Sequence, residues 1–181
     1  MLWTKRRIRI RAEQVLQEHG VQAPPIPVER LARQLGAELR YEPFQGDLSG
    51  MLFREHDRVI IGVNALHPKT RQRFTIAHEL GHLLLDSDRL HVDEHFPVWT
   101  RDAVSSQATQ PEEVAANAFA ADLLMPADLL ASDLAGCKEG LDYDDDEALR
   151  QLAERYQVSL QALLIRLTSL GLLRETNELP R

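Results

Sequence analysis

"RFTIAHELGHLLLD", residues 73–86, is an apolar, helix-forming run interrupted by His78, Glu79 and His82. The two histidines are four residues apart, a spacing that stacks side chains on one face of an α-helix about one turn apart. Both imidazoles can therefore reach one metal ion. Glu79 lies beside the pair, where a carboxylate could take a proton from a water activated by that ion. This is the HExxH arrangement of zinc hydrolases. The pattern is short, and a helix can also use two histidines as partly buried, hydrogen-bonded core residues. A second feature has to separate these readings.

That feature is "EEVAANAFAADLLMP", residues 112–126, in which Val114, Ala118, Ala121 and Leu124 or Met125 recur at helical spacing and predict a second helix with a core face. Glu113 and Asn117 are again four residues apart and share one side of it. Two histidines leave zinc short of its usual three protein ligands. Glu113 would complete a His2Glu set with the fourth position open, and Asn117 could accept a hydrogen bond from the non-ligating ring N–H of a histidine. The plainer role for Glu113, an acidic residue favouring the helix dipole, is better filled by Glu112.

Together, "RFTIAHELGHLLL" and "ExxANxFAxxLLMP" resemble the ImmA/IrrE family of small bacterial and phage zinc metallopeptidases. Weaker similarity runs upstream through "PPIPVERLARQLG" and "LSGMLF…VIIGVN" and includes "WTRDAVSS" between the helices, covering roughly residues 20–130. The resemblance implies metal ligands at His78, His82 and Glu113, one Zn2+ per chain, a catalytic glutamate at Glu79, and gluzincin-like endopeptidase activity. It also implies a protein substrate, typically a helix-turn-helix repressor cut to release stress-response or mobile-element genes. One departure is visible: Asp86 stands near where many relatives carry a histidine.

The remaining composition fits such an enzyme. A chain of 181 residues with 44% apolar content can bury one sizeable core, alone or with a small appendage. A net charge of −7 argues against general attraction to nucleic acid. The single cysteine, Cys137, excludes an internal disulfide and suits a reducing compartment. The basic start "MLWTKRRIRIR" lacks the apolar core of a signal peptide, and no run reaches the ~18 apolar residues of a membrane span. A cytoplasmic protein with no membrane partner is expected.

Outward from the two motifs, residues 5–19 place Ile8, Ala12, Val15 and Leu16 on one face and close at Gly20, an amphipathic helix. "VERLARQLG" repeats the design with Val28, Leu31, Ala32 and Leu35 inward. "AELRY", "SGMLF" and "RVIIGVN" are strand-like, and the polar "REHD" between the last two predicts a hairpin. An exposed strand beside a metal can bind extended substrate through its main chain, and residues 59–63 are the candidate. Residues 86–110 show no sustained period. A loop there would overhang the site, with His91, His95, Arg101 or a tyrosine from elsewhere as candidates for stabilising an oxyanion.

The tail, "DEALRQLAERYQVSLQALLIRLTSLGLL", predicts two helices joined at "QVS", a helix-turn-helix outline capped by Ser159. Residues 141–175 nevertheless hold seven acidic and four basic side chains, and the second helix offers only Arg166 as a charge. A reader of DNA bases needs more Lys, Arg and Asn than this, so packing or partner binding is the preferred role and no direct nucleic-acid contact is expected. The expected fold is α+β: a mainly helical zincin-like domain over residues 1–140 with a small antiparallel or mixed sheet, and a C-terminal helical pair over 141–181 packed on it. Two rival functions remain, a non-catalytic zinc-containing interaction protein such as a toxin-antitoxin partner, and a DNA-binding regulator.

Overall fold

The computed structural model describes residues 3–44, 46, 48–55, 58–85, 111–135, 141–142 and 145–174. Helix α1 (Lys5–Glu18) buries Ile8, Ala12, Val15 and Leu16, the four residues its period placed inward. The Thr4 hydroxyl caps it by accepting from the Arg7 N–H. The chain leaves past Gly20, whose φ of +65° suits a residue without a Cβ. Helix α2 (Val28–Gln34) buries Val28, Leu31 and Ala32, with Leu35 half-buried just beyond its end.

Three strands follow: β1 (Ala37–Glu42), β2 (Gly50–Glu55) and β3 (Arg58–Asn64). They form a mixed sheet in the order β1-β3-β2, with β3 parallel to β1 and antiparallel to β2. The expected hairpin is therefore β2–β3, although its turn residues 56–57 lie outside the described residues. The expectation that residues 59–63 form an exposed, substrate-binding strand is overturned. β3 is the central strand, hydrogen-bonded on both edges, and Ile60, Ile61, Val63 and Asn64 are buried. The run "VIIGV" carries the physical reason, since a strand covered on both faces reads as continuous rather than alternating apolar sequence.

Helix α3 (Lys69–Leu85) packs against β2, β3 and α2 and, most extensively, against α4 (Pro111–Leu124). It is covered nearly all round, from Thr75 to His82 without a break, which explains why its sequence is greasy rather than cleanly amphipathic. Helix α4 lies between α3 and α1. Its inward residues are Ala115, Ala116, Phe119, Ala120, Leu123 and Leu124, so the face assigned to Val114, Ala118 and Ala121 is corrected. Val114 is 49% exposed, and the two alanines are half-buried. Two partners at different angles blur a one-sided period, and the small alanines mark close contact rather than a single core stripe. A short helix, α5 (Ala127–Leu134), follows Pro126.

The C-terminal pair comprises α6 (Asp146–Tyr156) and α7 (Leu160–Leu170). Asp145 and Ser159 cap them by accepting from the N–H groups of Ala148 and Ala162. Two-residue strands β4 (Leu141–Asp142) and β5 (Leu173–Arg174) pair in parallel and close the ends of the unit. Leu149, Leu163 and Leu167 are buried, and Leu152 and Leu164 half-buried, in one apolar cluster shared with α1, α3 and α4. Polar ties reinforce this packing. Arg166 donates to the Asp122 carboxylate at 2.6 Å and to the Met125 carbonyl at 3.0 Å. Arg73 of α3 donates to the carbonyls of Gln157 and Ile26. Among the described residues no single helix is long and apolar enough to cross a membrane.

Candidate metal centre

The HExxH spacing does what one helical turn requires. His78 and His82 project from the same face of α3, and their Nε2 atoms stand 2.9 Å apart. Glu113, in the first turn of α4, reaches across to them. Its Oε2 lies 3.4 Å from His78 Nε2 and its Oε1 3.2 Å from His82 Nε2. All three ligand atoms fall within 4.8 Å of one another. The histidines are 1% and 0% exposed and the Glu113 side chain 20%, so the cluster opens to solvent at its glutamate side.

Asn117, one turn after Glu113, supports the arrangement. Its Oδ1 lies 3.0 Å from His78 Nδ1. An amide oxygen can only accept, so Nδ1 carries the proton and the Nε2 lone pair points into the cluster. That is the tautomer a metal ligand needs, with the ring held from behind by an outer hydrogen bond. Tetrahedral zinc with bonds of ~2.0–2.2 Å separates its ligand atoms by roughly 3.3 Å, and the observed 2.9–3.4 Å between nitrogen and oxygen donors matches that cage. Two neutral imidazoles and one carboxylate also suit zinc's borderline chemistry. The residues present fit the ion.

Glu79 is fully buried and stands outside the three-residue cluster. The sheet comes down beside it. At Gly50, the first residue of β2, an added Cβ would collide with Thr75 Cγ2 and sit 3.0 Å from the Gly62 carbonyl and 3.2 Å from Glu79 Oε1. A bare backbone at 50 is thus what lets this strand lie against the glutamate. The register matters as well. Asn64 N–H donates to the Ser49 carbonyl at 2.9 Å, so in the antiparallel alternation the main-chain groups of Gly50, Leu52 and Arg54 turn away from β3 toward the outer edge of the sheet. The outer strand beside Glu79 is β2.

The helices approach closely because both are small where they cross, at Gly81 and Ala116. The structure brings together His78, His82, Glu113 and Asn117, all named from the sequence, and adds the close contacts at Gly50 and Gly81, which the sequence reading did not single out. A signal existed for the second, since glycine inside a helix is disfavoured by about 1 kcal/mol relative to alanine and calls for a packing reason. Asp86, His91, His95, Arg101 and Cys137 lie outside the described residues.

Residues 32–168 match the family model described as the IrrE N-terminal-like domain. The radiation response metalloprotease IrrE of Deinococcus radiodurans is 36% identical over 135 residues, covering 74% of this chain and 37% of that protein. Its namesake in Deinococcus deserti is 32% identical over 158 residues, covering 86% of this chain and 52% of the relative. The chain thus spans between about a third and about half of the length of these relatives. A Mycobacterium tuberculosis transcriptional regulator shares the fold with a TM-score of 0.57 at 18% identity, over 89% of this chain and 46% of that one.

Proposed function

Because this chain belongs to the IrrE N-terminal-like family of peptidases, we propose that it is a zinc-dependent endopeptidase of the gluzincin kind, holding one Zn2+ per chain. The observation that carries the reading is the convergence of His78, His82 and Glu113 from two helices, with Asn117 fixing the tautomer of His78. Those three side chains would hold the metal. Bound zinc supplies Lewis acidity, acidifying water and polarising a carbonyl. Glu79, buried next to the ligands but not one of them, takes the proton of the attacking water and passes it to the leaving amine. An extended substrate adds to the outer edge of β2, where Gly50 and Leu52 direct their main-chain groups. The oxyanion partner is sought among His91, His95 and Arg101.

The substrate in this proposal is a helix-turn-helix repressor, whose cleavage releases stress-response or mobile-element genes and places the enzyme in the cytoplasm. The relatives' printed role in the radiation response supports this direction. We further treat residues 1–140 as the part that bears the chemistry and 141–181 as an extension packed on it. The rival reading of the extension as a DNA reader is disfavoured. Arg166, the one charged side chain of α7, is 10% exposed and bonded inward.

The test compares wild type with Glu79→Gln against a repressor encoded beside the gene. The variant keeps its shape and zinc but loses the base, and its cleavage rate should fall by about 10²–10⁴-fold, the usual contribution of a general base. Equal cleavage by both proteins rules out the role given to Glu79. Zinc retention without cleavage by the wild type favours the interaction-protein alternative.

A further inference from the structure

Three donor atoms on two helices meet only if the helix axes come close enough, and Gly81 is where that closeness is decided. It sits between Glu79 and His82 on α3, facing Ala116 of α4. A Cβ added at Gly81 would stand 2.9 Å from Ala116 Cα, 3.1 Å from its carbonyl oxygen and 3.2 Å from its Cβ. Two of these three atoms are backbone, so no side-chain rotation relieves the contact. The helix itself has to move. Ala116 lies three residues after Glu113 and immediately before Asn117, so any displacement at 116 is passed directly to the carboxylate and to the amide that orients His78. Their reach has little slack, at 3.2–3.4 Å for Glu113 and 3.0 Å for Asn117.

We infer that the Gly81–Ala116 contact is a spacer that sets the metal centre, and that Gly81 is a positioning residue acting through Glu113 and Asn117. The inference rests on the reading of His78, His82 and Glu113 as ligands. Two effects of one substitution then oppose each other. Alanine at 81 favours the helix on propensity alone, while pushing α4 away and loosening the ligand set. A glycine with a merely local role would show the first effect without the second. The spacer shows the second whatever the first does.

Zinc ion alone is the probe, titrated into chelator-treated full-length protein in competition with a chromophoric chelator. Far-UV circular dichroism and thermal unfolding are followed with and without the metal. Gly81→Ala should bind zinc about ten-fold or more weakly, the scale seen when the support of a metal ligand is lost, and its zinc-induced rise in Tm should shrink. Adding Ala116→Gly to that variant removes the methyl contact and should recover part of the affinity. Zinc affinity equal to wild type in a folded Gly81→Ala protein overturns the inference. If that variant does not fold, Ala116→Ser enlarges the same contact from the other helix. Weakened binding there supports the spacer, and unchanged binding overturns it. A wild type that binds no more zinc than His82→Ala removes the ligand reading itself, and the spacer falls with it.

Discussion

The α3–α4 pair and the α6–α7 pair both carry polar side chains into the core, with opposite results. Between α3 and α4, His78, His82 and Glu113 bring their ligand atoms within 4.8 Å of one another, and the outer ring nitrogen of His78 is held by Asn117. At α7, Arg166 is answered at once: Asp122 meets its Nη2 and the Met125 carbonyl its Nε. Convergence of like-acting donors points to a ligand, whereas donor-to-acceptor closure points to a structural pin. Burial alone does not distinguish them, since His78, His82, Asp122 and Arg166 are all buried.

The sharpest way to break this contrast is to remove one member on each side and watch what is lost. Among the ligands, His82→Ala should take the metal content, measured on protein prepared with zinc and without chelator, from about one ion per chain to near zero. A variant that keeps its zinc would make the cluster a pin like the other. At the pin, Arg166→Ala should leave zinc binding in place but lower unfolding stability by about 3–5 kcal/mol, because Asp122 is then a buried carboxylate without its partner. Urea denaturation of the metal-free forms measures it. A loss below about 1 kcal/mol would mean that water or a neighbour replaces the guanidinium.

A smaller effect sharpens the ligand side. Asn117→Ala removes the hydrogen bond behind His78 without touching a donor atom. Zinc affinity should fall by about 10–100-fold, as for other outer-shell partners, while metal-free stability changes little. Loss of stability with unchanged affinity would assign Asn117 to packing.

How much of this could be read from the sequence depends on how many partners each element has. α1 meets the core on one side, and its four buried residues follow from period alone. α4 is held between α1 and α3, and there the apolar period misplaced Val114 while the polar pair Glu113 and Asn117 gave the correct facing. Hydrophobicity is shared among neighbours, but a chemical requirement points one way. β3 looked like a candidate edge because the order of strands in a sheet is not written in any one strand. Its unbroken apolar run was the available warning. Arg166 was visible as a lone charge, yet its partner Asp122 is 44 residues away, and nothing local links them. Gly50 carried no local sign of its contact with Glu79, since its effect is the absence of atoms, whereas Gly81 was marked only by being a glycine inside a helix.

The weakest expected effect bears on the pin alone and tests whether it stabilises or only specifies. Burial raises the Asp122 carboxyl above its ordinary value, and the Arg166 charge and hydrogen bond oppose this without cancelling it. A carboxyl raised in the folded state contributes stability that is complete below its unfolded pKa of 3.8 and is lost as pH rises through the higher folded value. At neutral pH the ion pair therefore carries a desolvation penalty. Replacing both members by leucine should leave stability at pH 7 within about 1 kcal/mol of wild type, or raise it, in contrast to the single Arg166→Ala change. As pH falls from neutral toward 3.8 the wild type should gain relative to the double variant, because the Asp122 penalty relaxes on protonation. Paired unfolding curves across that range measure the difference. A wild-type advantage that instead grows with rising pH would show that Arg166 outweighs burial, and the pin would then be a net stabiliser of the α4–α7 contact.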